Sequence, residues 1–118
     1  MVKVESIAQA VLAGDALAAR SLTQDFMRSS PHFADIKSPA VQDAQLLALT
    51  AALLEMFAER SHQVAPSWTQ VIGRLPEPVY LLKAATTMKR LRELCQQQSP
   101  EPLRKRNLFA PANYLEMV

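Results

Sequence analysis

The sequence predicts an all-α fold, a compact bundle of about five helices around one central apolar helix, ending in an irregular apolar C-terminal tail. Three observations predict it. Only two glycines, Gly14 and Gly73, interrupt 118 residues, and the good helix formers Ala, Leu, Gln, Met, Arg and Glu are plentiful. No stretch sustains the every-second-residue alternation of a half-buried strand. Eight prolines fall between the helical runs and break them, because proline has no amide hydrogen and disfavours helix in the residue before it.

The first helix is expected over Val4–Ala13, with Ile7, Ala8 and Val11 facing inward. Gly14 stands where a helix C-terminus favours a residue that tolerates positive φ. Asp15 then caps a second helix, Ala16–Arg28, with Leu17, Leu22, Phe26, Ala18 and Ala19 on its packing face. Pro31 to Lys37 is a connector with room for one turn, pinned by Phe33 and Ile36. Ser38-Pro39 pairs a capping hydroxyl with proline at a first helical position, so the third helix is expected from there to about His62. Its Leu46–Phe57 portion is apolar nearly all round, which marks the central helix. Ser67 starts a short turn carrying Trp68, Val71 and Ile72, and Leu75-Pro76-Glu77-Pro78 is an extended link. A further helix is expected over Val79–Gln97, with Leu81, Ala84 or Ala85, Met88, Leu91 and Cys95 at helical spacing and Lys89 and Glu93 an exposed pair. Ser99-Pro100-Glu101-Pro102 caps one or two turns through Arg106. The tail beyond has no helical periodicity before Pro111.

Length and composition fit one domain, residues 1–118, with residues 98–118 forming a basic turn and the tail. About half of the residues, 49%, are apolar, enough for a core without disulfides or metal. Cys95 is the single cysteine, so no internal disulfide is possible and a reducing compartment fits. The N-terminal sequence lacks the uninterrupted apolar run of a signal peptide, and Ala44–Ala58 is too short to span a bilayer. A cytoplasmic protein is expected. Residues 1–60 carry five basic and seven acidic side chains, residues 61–118 eight and four. That mild asymmetry falls short of the basic stripe of a dedicated nucleic-acid binder.

Few patterns carry chemistry. Glu59 and His62 have the Glu-x-x-His spacing of helical metal sites, but di-iron bundles need two copies and further glutamates. A solvated helix end is the favoured reading, and no metal or cofactor is expected. Cys95 shares its helical phase with Met88 and Leu91, as a small core residue does. No glycine loop for a phosphate and no nucleophile motif occurs, so an enzyme and a small-molecule substrate are not expected. The first two helices resemble a helix-turn-helix in outline only. Arg20, Gln24 and Arg28 are interleaved with Asp15 and Asp25, which suits an ordinary helical pair better than a reading head. Arg104, Lys105 and Arg106, beside Lys89, Arg90 and Arg92, can grip phosphates or an acidic protein surface, or simply oppose helix dipoles and keep the surface soluble. The oily Leu108, Phe109, Tyr114, Leu115 and Met117 must be covered by the chain's own helices, a second copy or a partner.

The runs Leu12-Ala13-Gly14-Asp15 with Ala19-Arg20, Leu75 to Leu81, Leu91 to Cys95, and above all Ser99 to Asn113 resemble a group of small bacterial helical proteins. The likeness spans most of the chain. Members tend to be encoded beside nucleotidyltransferase-like proteins, which implies an antitoxin-type partner role; the group supplies no activity and no site. The expected function is therefore a non-enzymatic protein-interaction partner, an antitoxin-like neutraliser binding a protein partner or a second copy. Arg104, Lys105 and Arg106 would steer, and Leu108, Phe109 and Tyr114 would anchor. The alternative is a weak nucleic-acid-binding module using the same basic cluster.

Overall fold

In the computed structural model, which describes residues 2–116, five α-helices and one two-residue strand pair follow in the order α1 (Val4–Leu12), α2 (Ala16–Arg28), α3 (Ala44–Arg60), β1 (Val79–Tyr80), α4 (Lys89–Gln98), α5 (Glu101–Arg104) and β2 (Leu108–Phe109). Single 3-10 turns at Phe33–Asp35, Ser67–Val71 and Lys83–Thr86 occupy the connectors. The fold is the expected all-α bundle. Met117, assigned to the tail from the sequence, lies outside the described residues.

The helical pair at the N-terminus forms as its sequence dictates. Gly14 adopts φ +76°, and its amide donates to the Val11 carbonyl while that of Asp15 donates to Ala10. The closing carbonyls of α1 are thus satisfied in a Schellman turn. Asp15 Oδ1 accepts from the Ala18 amide at 3.0 Å and starts α2. Ile7, Ala8 and Val11 are buried. On α2 the inward face is Ala19, Thr23 and Phe26, and Leu17 is 81% exposed, contrary to the expected packing face. Residues 19, 23 and 26 follow the three-to-four spacing of one helical side, which leaves position 17 on another.

α3 is the axis of the molecule. Leu46, Ala48 to Leu54, Met56, Phe57 and Ala58 are all buried, with α1 on one side and α5 on another. Phe57 and Phe33 both meet the ring of Phe26, at 6.0 and 5.7 Å between centroids. The helix starts later than Ser38-Pro39 suggests. Asp43 is its cap, accepting from the Gln45 and Leu46 amides at 2.9 and 3.2 Å. A carboxylate that satisfies two free amides outcompetes the serine signal five residues earlier. Residues 36–42 form neither helix nor strand, and the Trp68 indole holds the start of this segment by donating to the Ile36 carbonyl at 2.8 Å.

The largest departure is at 79–88. The expected single helix is replaced by β1, a 3-10 turn and a later start for α4. Val79 and Tyr80 pair in parallel with Leu108 and Phe109. Their side chains are a β-branched residue and an aromatic ring, types that suit a strand. The Val79 and Leu81 amides reach the Asn107 and Phe109 carbonyls at 2.9 Å each. The tail stays irregular from Ala110 to Glu116, and its Leu108 and Phe109 form a strand.

Candidate interaction surfaces

The basic Arg104–Arg106 segment divides in two. Arg104 and Lys105 are exposed, whereas Arg106 is 1% exposed. Arg106 Nη1 and Nη2 bind the two carboxylate oxygens of Glu55 at 2.8 and 2.9 Å. The same guanidinium donates to the carbonyls of Ile72, Pro102 and Thr69 at 3.2, 2.9 and 2.7 Å. With five donors used, nothing of it remains for a ligand. Lys105 Nζ adds a second cation to Glu55 at 2.8 Å. Burial pushes the Glu55 carboxyl up, but the bonds from Arg106 and Lys105 outweigh that and hold it at about 2. Arg106 thus leaves the expected steering cluster and becomes the internal tie between α3 and the C-terminal third. Glu55 is the one charged side chain in the otherwise apolar Leu46–Phe57 run, a signal in the sequence that could have pointed to a buried partner.

The tail is covered by its own chain. Leu108 and Ala110 are fully buried, and Tyr114 and Leu115 pack on the same core. Arg60, at the end of α3, clamps it by donating to the Tyr114 and Ala112 carbonyls at 2.7 and 3.2 Å. Burial lowers the Arg60 pKa, while Glu116 and Glu59 oppose that. Burial also pushes the Tyr114 phenol up. Phe109 is half-buried and stacks on Tyr80 at 5.4 Å, and the Tyr80 hydroxyl accepts from Gln96 Nε2 at 2.6 Å. Ser99 donates to the Leu108 carbonyl at 3.0 Å, and Asn107, at φ +67°, donates through Nδ2 to Leu75. Of the residues expected to anchor a partner, Leu108 is inside, and Phe109 and Tyr114 are largely engaged.

Glu59 and His62 do not share a helical face. α3 ends at Arg60, and His62 takes φ +56° beyond it. The His62 amide donates to Glu59 and that of Gln63 to Ala58, closing a second Schellman turn. Among the described residues no group of three His, Cys, Asp or Glu gathers for a metal. Cys95 is buried, and burial raises its pKa, which disfavours the nucleophilic thiolate.

Two kinds of surface remain open. One is a groove of about 520 Å³ between the start of α1, the end of α2 and the 31–40 connector, lined by apolar Val4, Phe26, Pro31 and Ile36 and by the charged Lys3, Lys37, Glu5 and Asp35. The other is α4, on which only Cys95 is buried. Met88 is 56% and Leu94 38% exposed, and Leu91 is half-buried. The first turn of α4 holds Lys89, Arg90 and Arg92 and no acidic residue, so three cations sit at the positive end of the helix dipole. Arg92 is fixed there by donating to the Ala85 and Thr86 carbonyls at 3.1 and 2.7 Å. The expected Lys89–Glu93 pair is not closed within 4 Å. The sequence showed the cations and the apolar spacing. It did not show that the helix would lie at the edge of the body with its apolar side half wet.

Fold and surfaces together define a small all-α protein with an internal ion-pair tie and a cationic, half-exposed helix. No family model, curated protein or solved structure matches the chain. Among the described residues, no helix is long and apolar enough to cross a membrane.

Proposed function

We propose that the chain is a non-enzymatic, cytoplasmic interaction protein, an antitoxin-like partner that binds and neutralises a nucleotidyltransferase-type protein. The observation that carries the interaction reading is the set of large apolar side chains left in water by a body that covers its own tail: Leu17 and Val71 at 81% and Met88 at 56% exposure. Methionine is among the residue types that interfaces concentrate, and the leucine and valine add exposed apolar area. The partner class rests on the resemblance of the Ser99–Asn113 stretch to proteins encoded beside nucleotidyltransferases. Arg104 stays available to steer an acidic surface, whereas Lys105 is drawn to Glu55; the anchoring assigned to Leu108 passes to the exposed apolar side chains.

The test is co-expression with a nucleotidyltransferase-type protein of the kind that the resemblance implies. Neutralisation predicts that host growth, arrested by that protein alone, is restored and that the two co-purify. Growth that stays arrested, with no complex on gel filtration, overturns the reading. The nucleic-acid alternative draws on the exposed Lys89, Arg90 and Arg104. A complex held by phosphates weakens steeply as salt rises, and one anchored by apolar side chains does not.

A further inference from the structure

We infer that residues 111–116 form a strap, latched by Arg60 and strained at the Leu115 backbone, that swings off as a unit while the body stays folded. The inference goes beyond the interaction reading and does not depend on it. Burial sets the boundary. Ala110 is fully buried, but beyond it Pro111, Tyr114 and Leu115 are half-buried and Ala112, Asn113 and Glu116 are exposed. The strap also folds on itself: the Tyr114 amide donates to the Pro111 carbonyl and the Glu116 amide to that of Asn113, each at 3.0 Å. Those bonds travel with it. Among the described residues, its hydrogen bonds to the body are the two that Arg60 donates to the Ala112 and Tyr114 carbonyls. Letting go of one side chain therefore releases every polar tie of the segment.

The strain sits at Leu115, whose φ is +53°. In that region the Cβ of an L-residue crowds the following carbonyl oxygen, and a bulky side chain is rare there. Such strain persists where the surroundings over-determine it, and it gathers at switch regions. Around Leu115 the surroundings are thin. It borders a hollow of about 100 Å³ with Val11, Ala19 and Leu81, and an open one of about 480 Å³ with Met27 and Phe57. A gap beside a side chain forfeits the dispersion contacts that would hold it down. Asn107 also has positive φ, but asparagine tolerates that region, and this one is buried and bonded to Leu75. Opening relaxes Leu115 and bares the seam of Val11, Ala19 and Leu81. Burial of Tyr114 and Leu115 drives closing.

Residue-resolved hydrogen exchange of the full chain in low urea tests the inference. The Tyr114 and Glu116 amides are expected to exchange at least ~100-fold faster than those of Leu53 and Leu54 in α3. Urea should hardly change their rates, because opening exposes little surface. Arg60→Gln is expected to speed both amides ~10-fold, with circular dichroism and Trp68 fluorescence unchanged. The strain is read from a pair of variants. Leu115→Ala and Leu115→Gly lose nearly the same contacts, but only glycine takes positive φ freely. The Glu116 amide is expected to be ~5-fold better protected in Leu115→Gly than in Leu115→Ala, the reverse of the order that chain flexibility alone gives. Strap and α3 amides with equal rates and equal urea dependence mean a tail fixed to the core, and overturn the inference. Indifference to Arg60→Gln removes the latch, and protection no better with glycine than with alanine removes the strain. Either result leaves an ordinary fraying end and overturns the inference as well.

Discussion

Glu55 and Arg106 are 51 residues apart in the chain and meet in a bidentate pair. The pair itself is not a large net gain, since both groups lose their water on folding. Removing one partner is another matter. Arg106→Met leaves the Glu55 carboxylate with Lys105 as its one cation and frees three backbone carbonyls, and is expected to lower stability by about 3 kcal/mol in urea unfolding. Adding Glu55→Met to it is expected to recover only part of that loss, because the carbonyls of Ile72, Pro102 and Thr69 still lack a donor. Full recovery would show that the carbonyl bonds contribute nothing. The acid limb follows from the same group. Glu55 is held at about 2, below its ordinary value of 4.5. Its contribution, on the order of 3 kcal/mol, is therefore present above about pH 4.5 and lost as pH falls toward 2. Glu55→Gln is expected to flatten the fall in melting temperature across that window.

Among the elements, β2 and the segment after it carry the most unexpected role. A two-residue strand is marginal alone, but here Leu108 is fully buried, Ser99 and Asn107 tie its flanks, and Arg60 holds two carbonyls further on. Deleting residues 108–118 is therefore expected to cost the chain its cooperative unfolding and expose the core to dye binding. A truncated chain that melts normally would show the tail to be dispensable cover. A milder probe is Arg60→Gln, expected to cost about 1–2 kcal/mol for the two lost charge-assisted bonds. Parallel pairing of β1 with β2 also explains why the 79–88 stretch is not helical. Apolar spacing there fits a helix, yet a partner strand arriving from almost thirty residues downstream takes its amides first.

At the scale of the whole molecule, α3 touches both the N-terminal pair and α5. One continuous core includes Val4 and Ile7 at one end of the chain and Leu103, Leu108 and Ala110 at the other. The Trp68 indole bridges to Ile36, tying the connector to the C-terminal half. Such shared burial predicts a single transition: Trp68 fluorescence and far-ultraviolet circular dichroism are expected to give coincident urea midpoints. Two separated midpoints would show that the halves melt as independent units.

Local chemistry was readable wherever it decides the outcome within a few residues. Gly14 and Asp15 specify a turn through a left-handed backbone and a carboxylate cap, and Leu46–Phe57 specifies a central helix by being oily on every side. The extent of α3 was misread because a serine–proline start and an aspartate cap compete within six positions, and only the assembled body ranks them. The site was less legible still. A run of Arg104, Lys105 and Arg106 looks like one basic patch, and folding splits it, since a carboxylate on α3 draws the third cation inward. Composition and periodicity thus determined the helical class and the core. Tertiary packing alone decided the β1–β2 pairing, the burial of Arg106 and the half-wet face of α4, because each depends on groups far apart in the chain meeting once water is expelled.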